Sequence, residues 1–335
     1  MGKKFTIGVL IGNVHTAHPK DLMRGIRAAA SGMDVNVIYF LGTQSVRFNQ
    51  KFALEDFDYQ YNTVYDYAKL AKVDVLIIAY GSLCIFQKNE DKQAFLDKFA
   101  GIPYVLLEDA TDDPRGIYVM VDNFGGMQKC VEHLIIEHHL KHLVYLGGPE
   151  DNQDAIERKA AFLNVMAEHH LPVTPEMMAV GDYSEFVDNL VEQLLKDNPD
   201  AEAIISANDE MTVACYRVCK AHGLRIGKDI LITGFDDVER ARYSNPPLTT
   251  VSQDAYKMGQ IAVEKAVDIC AGRPVESVRL DAELIIRESC GCKVTRRAKE
   301  KADEKTELLH IIDELRLFQH KSWLGPFLIR DLMQE

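Results

Sequence analysis

Positive charge is scarce in this sequence: 38 lysines and arginines face 51 aspartates and glutamates, for a formal charge of -13. So acidic a chain is repelled by phosphate backbones and anionic lipid, so direct nucleic-acid binding by these residues is not expected. No apolar run is long enough to span a bilayer, and Met1-Gly2-Lys3-Lys4 runs straight into FTIGVLI without the h-region of a signal peptide. Neither membrane association nor export is expected. Also missing are a G-x-G-x-x-G after the first apolar run, a Walker Gly-Lys-Ser/Thr and a G-x-S-x-G elbow. No catalytic residue and no cofactor is therefore assigned, and the chain reads as a binding protein rather than an enzyme. The seven cysteines are odd in number and mostly sit in apolar stretches, where a thiol behaves as a small hydrophobe. That usage suits a reducing cytoplasm.

What is present is an ordinary globular balance, 47% hydrophobic and 27% charged, in a chain too long for one compact core. Short β-rich runs alternate with amphipathic helical stretches as far as about Cys290, the pattern of α/β folds with parallel sheets. Strands are predicted at 4–12, 34–41, 74–79 and 103–107, separated by helices at 19–31, 60–72 and 88–99. A second series follows: helix 124–138, strand 142–147, helix 153–170, strand 177–180, helix 185–196, strand 202–206, helix 209–222 and strand 229–234. A helix at 253–271 and β-like segments at 275–280 and 283–287 complete it. The fold class expected is therefore two doubly wound, Rossmann-like lobes. From Val294 the character changes. A stretch without Gly or Pro carries Leu308, Ile311, Leu315 and Phe318 at steps of 3, 4 and 3, the seam of a short coiled coil, with a solvated helix packed on the lobe as the alternative.

In open parallel sheets, ligands bind beyond the carboxyl ends of the strands. The loops there carry Asn13, Thr16 and His18, then Tyr80-Gly81-Ser82, Glu108-Asp109, Gly147-Gly148-Pro149, Ser206-Ala207-Asn208-Asp209 and Gly234-Phe235-Asp236-Asp237. Carboxylates, amides and an aromatic face are what a hydroxyl-rich ligand requires, since they replace water at its hydroxyls and cover its C–H surface. Several of these residues have plainer roles open to them. Asn208 and Asp209 precede a helix and suit capping, Arg158 in mid-helix suits solvation, and Tyr183 suits loop packing. The segment DDVERARYSNPP after Asp236 is too broken for a good helix. His138, His139 and His142 at a helix end complement its dipole better than they hold metal. Cys290-Gly291-Cys292 offers two thiols without evident partners, so no metal site is assigned.

The segments VDNFGGMQKCVEHLI with HLVYLGGP, ERKAAF, AIISANDEMTVACYRVCKAHGLRIGKDILITGFDD, PPLTTVSQD and ELIIRESCG together resemble the ligand-binding core of the LacI family and its periplasmic sugar-binding relatives. The resemblance covers about 4–292. It implies an N-terminal lobe of 4–121 with 253–281 and a C-terminal lobe of 122–251 with 282–290, joined by crossovers near 121–122, 251–253 and 281–282. It also implies that Arg158 pairs with ligand hydroxyls, that Asn208 and Asp236 bind from the second lobe, that Tyr183 stacks on a sugar ring, and that Glu108 contributes from the first lobe. Asn13, Thr16 and His18 fall in the loop after the first strand. The family's second stacking aromatic falls on Ala255, and its helix-turn-helix has no counterpart ahead of the first strand. The segment 294–335 resembles the helical linker of relatives that feed an output domain, of which a diguanylate cyclase fits the linker best. The expectation is a cytoplasmic sensor of a sugar-like small molecule, homodimeric, that signals by lobe closure. The alternatives are a LacI-type regulator lacking its DNA-binding domain in this chain and a free sugar-binding transport protein.

Overall fold

The computed structural model describes residues 4–14, 17–42, 63–83 and 89–293. The coiled-coil seam, Thr16 and the segment 294–335 lie outside them. Twelve strands form two six-stranded sheets among the described residues. The first is built from β1 (Phe5–Gly12), β2 (Val35–Gly42), β3 (Val75–Ala79), β4 (Tyr104–Leu107), β5 (Gly116–Val121) and β11 (Val278–Leu280), in the order β11-β5-β4-β3-β1-β2. The second is built from β6 (Leu143–Gly147), β7 (Met178–Val180), β8 (Ala203–Ser206), β9 (Leu231–Asp236), β10 (Thr249–Ser252) and β12 (Glu283–Ile285), in the order β12-β10-β9-β8-β6-β7. All neighbours pair in parallel except β10 with β12. The fold is thus two doubly wound α/β lobes, as the alternation of strands and helices predicts.

Central strands of such sheets are covered by helices on both faces and read as unbroken apolar runs. Val75–Ala79, Tyr104–Leu107 and Leu143–Gly147 are buried at every position. The chain leaves the first sheet after Val121, returns to its helices after Ser252 and enters the second again after Leu280, so both lobes are made of discontinuous chain. The helix Ala255–Cys270 packs on the helix Ala17–Ser31 of the first lobe, and the helix Asn123–Glu132 packs on Gln153–Glu168 of the second.

Where the structure departs from the predicted elements, the causes are local. Two strands were not anticipated. β5 has three half-buried residues before its buried half, and Thr249–Ser252 is only four residues long. Between Glu239 and Tyr243 a short helix does form inside the stretch judged too broken, held by Ala241 on the core. The predicted helix 124–138 is α-helical to Glu132 and then widens into a π turn over His133–Glu137. In place of a helix over 60–72, the described part holds a 3-10 turn at Thr63–Asp66 and one α-turn at Tyr67–Leu70.

Candidate functional site

Parallel pairing points the carboxyl end of every core strand toward one side of its sheet. At those ends stand Asn13 after β1, Glu108 after β4, Gly148 after β6, Asn208 after β8 and Asp236 closing β9. Asn13, Glu108, Tyr183 and Asp236 all adopt positive φ, at 51°, 67°, 66° and 121°. Such conformations cost non-glycine residues of order 1–3 kcal/mol and persist only where the surroundings fix them, which occurs preferentially at functional sites.

Arg158 is the hub on the second lobe. It lies one turn into the helix Gln153–Glu168 and is only 2% exposed, so the plainer expectation of a solvated mid-helix arginine does not hold. Its Nε donates to Asn123 Oδ1 at 2.8 Å and its Nη1 to the Ala207 carbonyl at 2.7 Å. The guanidinium lies over the Phe235 ring at 3.8 Å, with Asp154 Oδ2 at 3.5 Å and Asp236 Oδ1 at 3.6 Å. Asp154 also accepts from Asn123 Nδ2 at 2.8 Å, and Asp236 accepts from Gln253 Nε2. One cation thus serves two flanking carboxylates, and neither is fully compensated. Burial pushes the Asp154 carboxyl up to about 7; Arg158 opposes this, while Glu108, Asp236 and Glu157 reinforce it. Burial raises Asp236 likewise, against the pull of Arg158 and His18. Arg158 itself is raised, because the surrounding acidic groups outweigh the cost of burying its charge.

The first lobe contributes a pair. His18 Nε2 and Glu108 Oε1 are hydrogen-bonded, and Glu108 Oε2 accepts the backbone N–H of Ser82 at 2.9 Å. Burial alone would lower the His18 imidazole. Glu108 more than reverses that through charge and hydrogen bond, with Asp236 and Asp154 of the other lobe adding to the rise. The acidic groups of the two lobes therefore act on one another across a shared space. Glu108 reaches its position only because Gly81 lacks a side chain, since a Cβ there would stand 2.6 Å from that of Glu108.

Tyr183 lies against Gly148, where a Cβ would stand 2.4 Å from the ring, and its hydroxyl donates to Asn152 Oδ1 at 3.2 Å. Asn208 caps its helix, accepting the Met211 N–H at 3.0 Å, and also donates to the Tyr183 carbonyl at 3.2 Å. An amide has two donors and two acceptor sites, so one of each remains after both contacts. Its neighbour Asp209 is structural. It accepts from Thr250 Oγ1 at 2.6 Å and from the Val238 N–H at 3.1 Å, tying β10 and the loop after β9 to the helix Asp209–Ala221.

Of the predicted residues, the structure brings Arg158 and Asp236 together on the second lobe and His18 and Glu108 on the first, with Tyr183 and Asn208 joined beside Asn152. Asn13 stands at the end of β1. Sequence reading missed Asp154, Asn123, Phe235 and Gln253. Asp154 was detectable as a carboxylate four residues before Arg158, on the same helix face; Phe235 stood beside Asp236. Asn123 and Gln253 carried no local signal. Ala255, where the resemblance implies a stacking aromatic, begins a helix and is buried. One expectation fails outright: Cys290 and Cys292 do have partners, for His133 Nε2 lies 3.4 Å from Cys290 Sγ and His138 Nε2 lies 3.5 Å from Cys292 Sγ.

Residues 131–290 match the family model of the periplasmic binding protein-like domain. The HTH-type transcriptional regulator CelR of Thermobifida fusca is 30% identical over 216 residues, 62% of each chain. The HTH-type transcriptional repressor PurR of Aliivibrio fischeri is 29% identical over 198 residues, 58% of this chain and 56% of its own. The chain thus spans about three-fifths of the length of these relatives. Among solved structures, a CelR–cellobiose complex superposes with a TM-score of 0.71 at 23% identity, covering 85% of this chain and 84% of its own. A lac repressor dimer bound to operator and the anti-inducer ONPF gives 0.72 at 23%, covering 87% and 82%. At that identity the likeness establishes the fold. The curated relatives named here are transcriptional regulators and not enzymes, in agreement with the motif reading, and they lend no support to a diguanylate cyclase fusion. Among the described residues, no helix is long and apolar enough to cross a membrane.

Proposed function

We propose that this chain is the effector-sensing core of a LacI-type transcriptional regulator, and that it binds a sugar-like, polyhydroxylated molecule between its lobes. The observation that carries the reading is that the hydrogen-bonded Glu108–His18 pair stands at the strand ends of the first sheet, while Arg158, flanked by Asp154 and Asp236, stands at those of the second. Carboxylates from both lobes, with a guanidinium and an amide from the second, suit a ligand rich in hydroxyl groups, which donate to the first and accept from the others. Tyr183, half-buried beside Asn208, supplies a flat face for the C–H surface of a ring.

The ligand's contacts with both lobes are complete only when the lobes are together, so binding favours the closed form. A hundredfold preference for that form shifts the equilibrium by about 2.7 kcal/mol. The closed state is what a DNA-binding or other output domain would read, as a homodimer. A cyclase output was the finer expectation for the region after Cys292; the named relatives favour a helix-turn-helix partner instead.

The test is calorimetry and small-angle scattering on the purified chain across a panel of mono- and disaccharides, nucleosides and uronates. Saturable binding of a saccharide with a fall in radius of gyration is expected. Binding without compaction would remove lobe closure, and binding confined to nucleosides would remove the sugar.

A further inference from the structure

The second lobe carries a further side-chain cluster that the cleft does not use. His133, His138, Cys290 and Cys292 present four ligand atoms that all lie within 4.8 Å of one another. His133 Nε2 is 3.3 Å from His138 Nε2, 3.4 Å from Cys290 Sγ and 3.8 Å from Cys292 Sγ, and His138 Nε2 is 3.5 Å from Cys292 Sγ. For a zinc ion with bonds of about 2.0–2.1 Å to nitrogen and about 2.3 Å to sulfur, a regular tetrahedron has edges of about 3.3 Å between nitrogens and about 3.5 Å between nitrogen and sulfur. The four separations follow that pattern.

Local backbone geometry assembles the set. In an α-helix, side chains five apart point away from each other, but the π turn over His133–Glu137 adds a residue to the turn and brings His133 and His138 to one side. On the other strand of chain, a 3-10 turn at Glu288–Cys290 ends in Gly291 with φ of 87°, a left-handed conformation open to glycine. That kink turns Cys290 and Cys292 toward the same pair of rings. Cys290 is fully buried and His133 is 8% exposed, while His138 and Cys292 lie at the rim, so the site is enclosed yet reachable by an ion.

We propose that His133, His138, Cys290 and Cys292 bind one zinc ion, or a divalent cation of similar softness, in a structural Cys2His2 site. Two thiolates and two imidazoles are a donor set for zinc, and four protein ligands leave no open position for catalysis. Loading requires deprotonated thiols, so binding one ion by the two cysteines releases two protons to solvent. The bond it makes is between the end of the helix that begins at Asn123 and the segment just after β12, elements some 150 residues apart in sequence. The same helix holds Arg158 through Asn123 at its other end, so the ion anchors the base of a helix whose tip lines the cleft.

The experiment uses the full 335-residue chain, purified under reducing conditions, equilibrated with zinc and passed through a desalting column. One equivalent of zinc is expected by elemental analysis. Replacement by cobalt is expected to give the visible d–d bands and sulfur charge-transfer absorption of a tetrahedral site. The rim variants His138→Gln and Cys292→Ser, checked for folding by circular dichroism, should bind at least about tenfold more weakly, since even outer partners of metal ligands carry that much. Cys270→Ser should bind as the parent does. Folded parent chain that retains less than a tenth of an equivalent, or a His138→Gln/Cys292→Ser double variant that retains as much as the parent, would overturn the site. So would a Cys290–Cys292 disulfide persisting in reductant. Because metal content is read without any sugar, failure here leaves the cleft assignment untouched, and the reverse also holds.

Discussion

The guanidinium of Arg158 sits over the ring of Phe235, its Cζ 3.8 Å from the centroid, and this buried cation stands at the meeting point of Asp154 and Asp236. A lysine at 158 has no planar face to stack and no fork to reach Asn123, Ala207 and two carboxylates together.

Replacing Arg158 by Met is therefore expected to destabilise the chain by about 3–5 kcal/mol at about pH 8, because Asp154 and Asp236 lose the cation that flanks them both. Arg158→Lys should lie between that variant and the parent. Urea denaturation followed by circular dichroism gives both values, and an unchanged midpoint for Arg158→Met would show that the hub is dispensable.

Stability should fall as pH rises from about 4 to about 7. The native Asp154 carboxyl, at about 7, holds its proton where the unfolded chain has released it from a group near 3.8. In that window the native state binds more protons than the unfolded state, so each rise in pH favours unfolding until the native pKa is passed. The raised His18 acts in the same direction as its own proton is lost. In Asp154→Asn the slope between pH 4 and 7 should flatten by on the order of 2–4 kcal/mol over the window. Parallel thermal melts of the two proteins check it.

Glu108→Gln should lower the His18 pKa from its value in the parent chain, since the replaced carboxylate is the principal group raising it against burial. Proton–carbon NMR of the imidazole, followed from pH 5 to pH 9, reads the change directly. A titration that does not move would place the raising charge elsewhere.

Gly148→Ala should weaken saccharide binding about tenfold, with a smaller effect on folding, because its Cβ displaces the Tyr183 ring that it would approach at 2.4 Å. Tyr183→Phe should retain most of the affinity if the ring face is what the ligand uses; titration calorimetry separates the two variants.

Much of this was written in local pattern. The apolar runs at Val75–Ala79 and Leu143–Gly147 announce buried parallel strands, because only a strand covered on both faces can be apolar throughout. Their alternation with amphipathic helices then leaves a doubly wound fold as the simplest solution. The strand-end positions of Glu108, Asn208 and Asp236 follow from that topology. The strands at Gly116–Val121 and Thr249–Ser252 did not show, since one begins half-exposed and the other is too short for periodicity to register.

The sequence by itself determined two α/β lobes and the row of polar residues at their strand ends, since hydrophobic period and turn chemistry are local properties of the chain. Only the tertiary structure decided that Arg158 is buried on Phe235 with Asp154 and Asp236 beside it, and that the two cysteines at Cys290-Gly291-Cys292 face His133 and His138. Both clusters join residues far apart in sequence, and their charges and distances exist only once the sheets have been wound and the helices packed upon them.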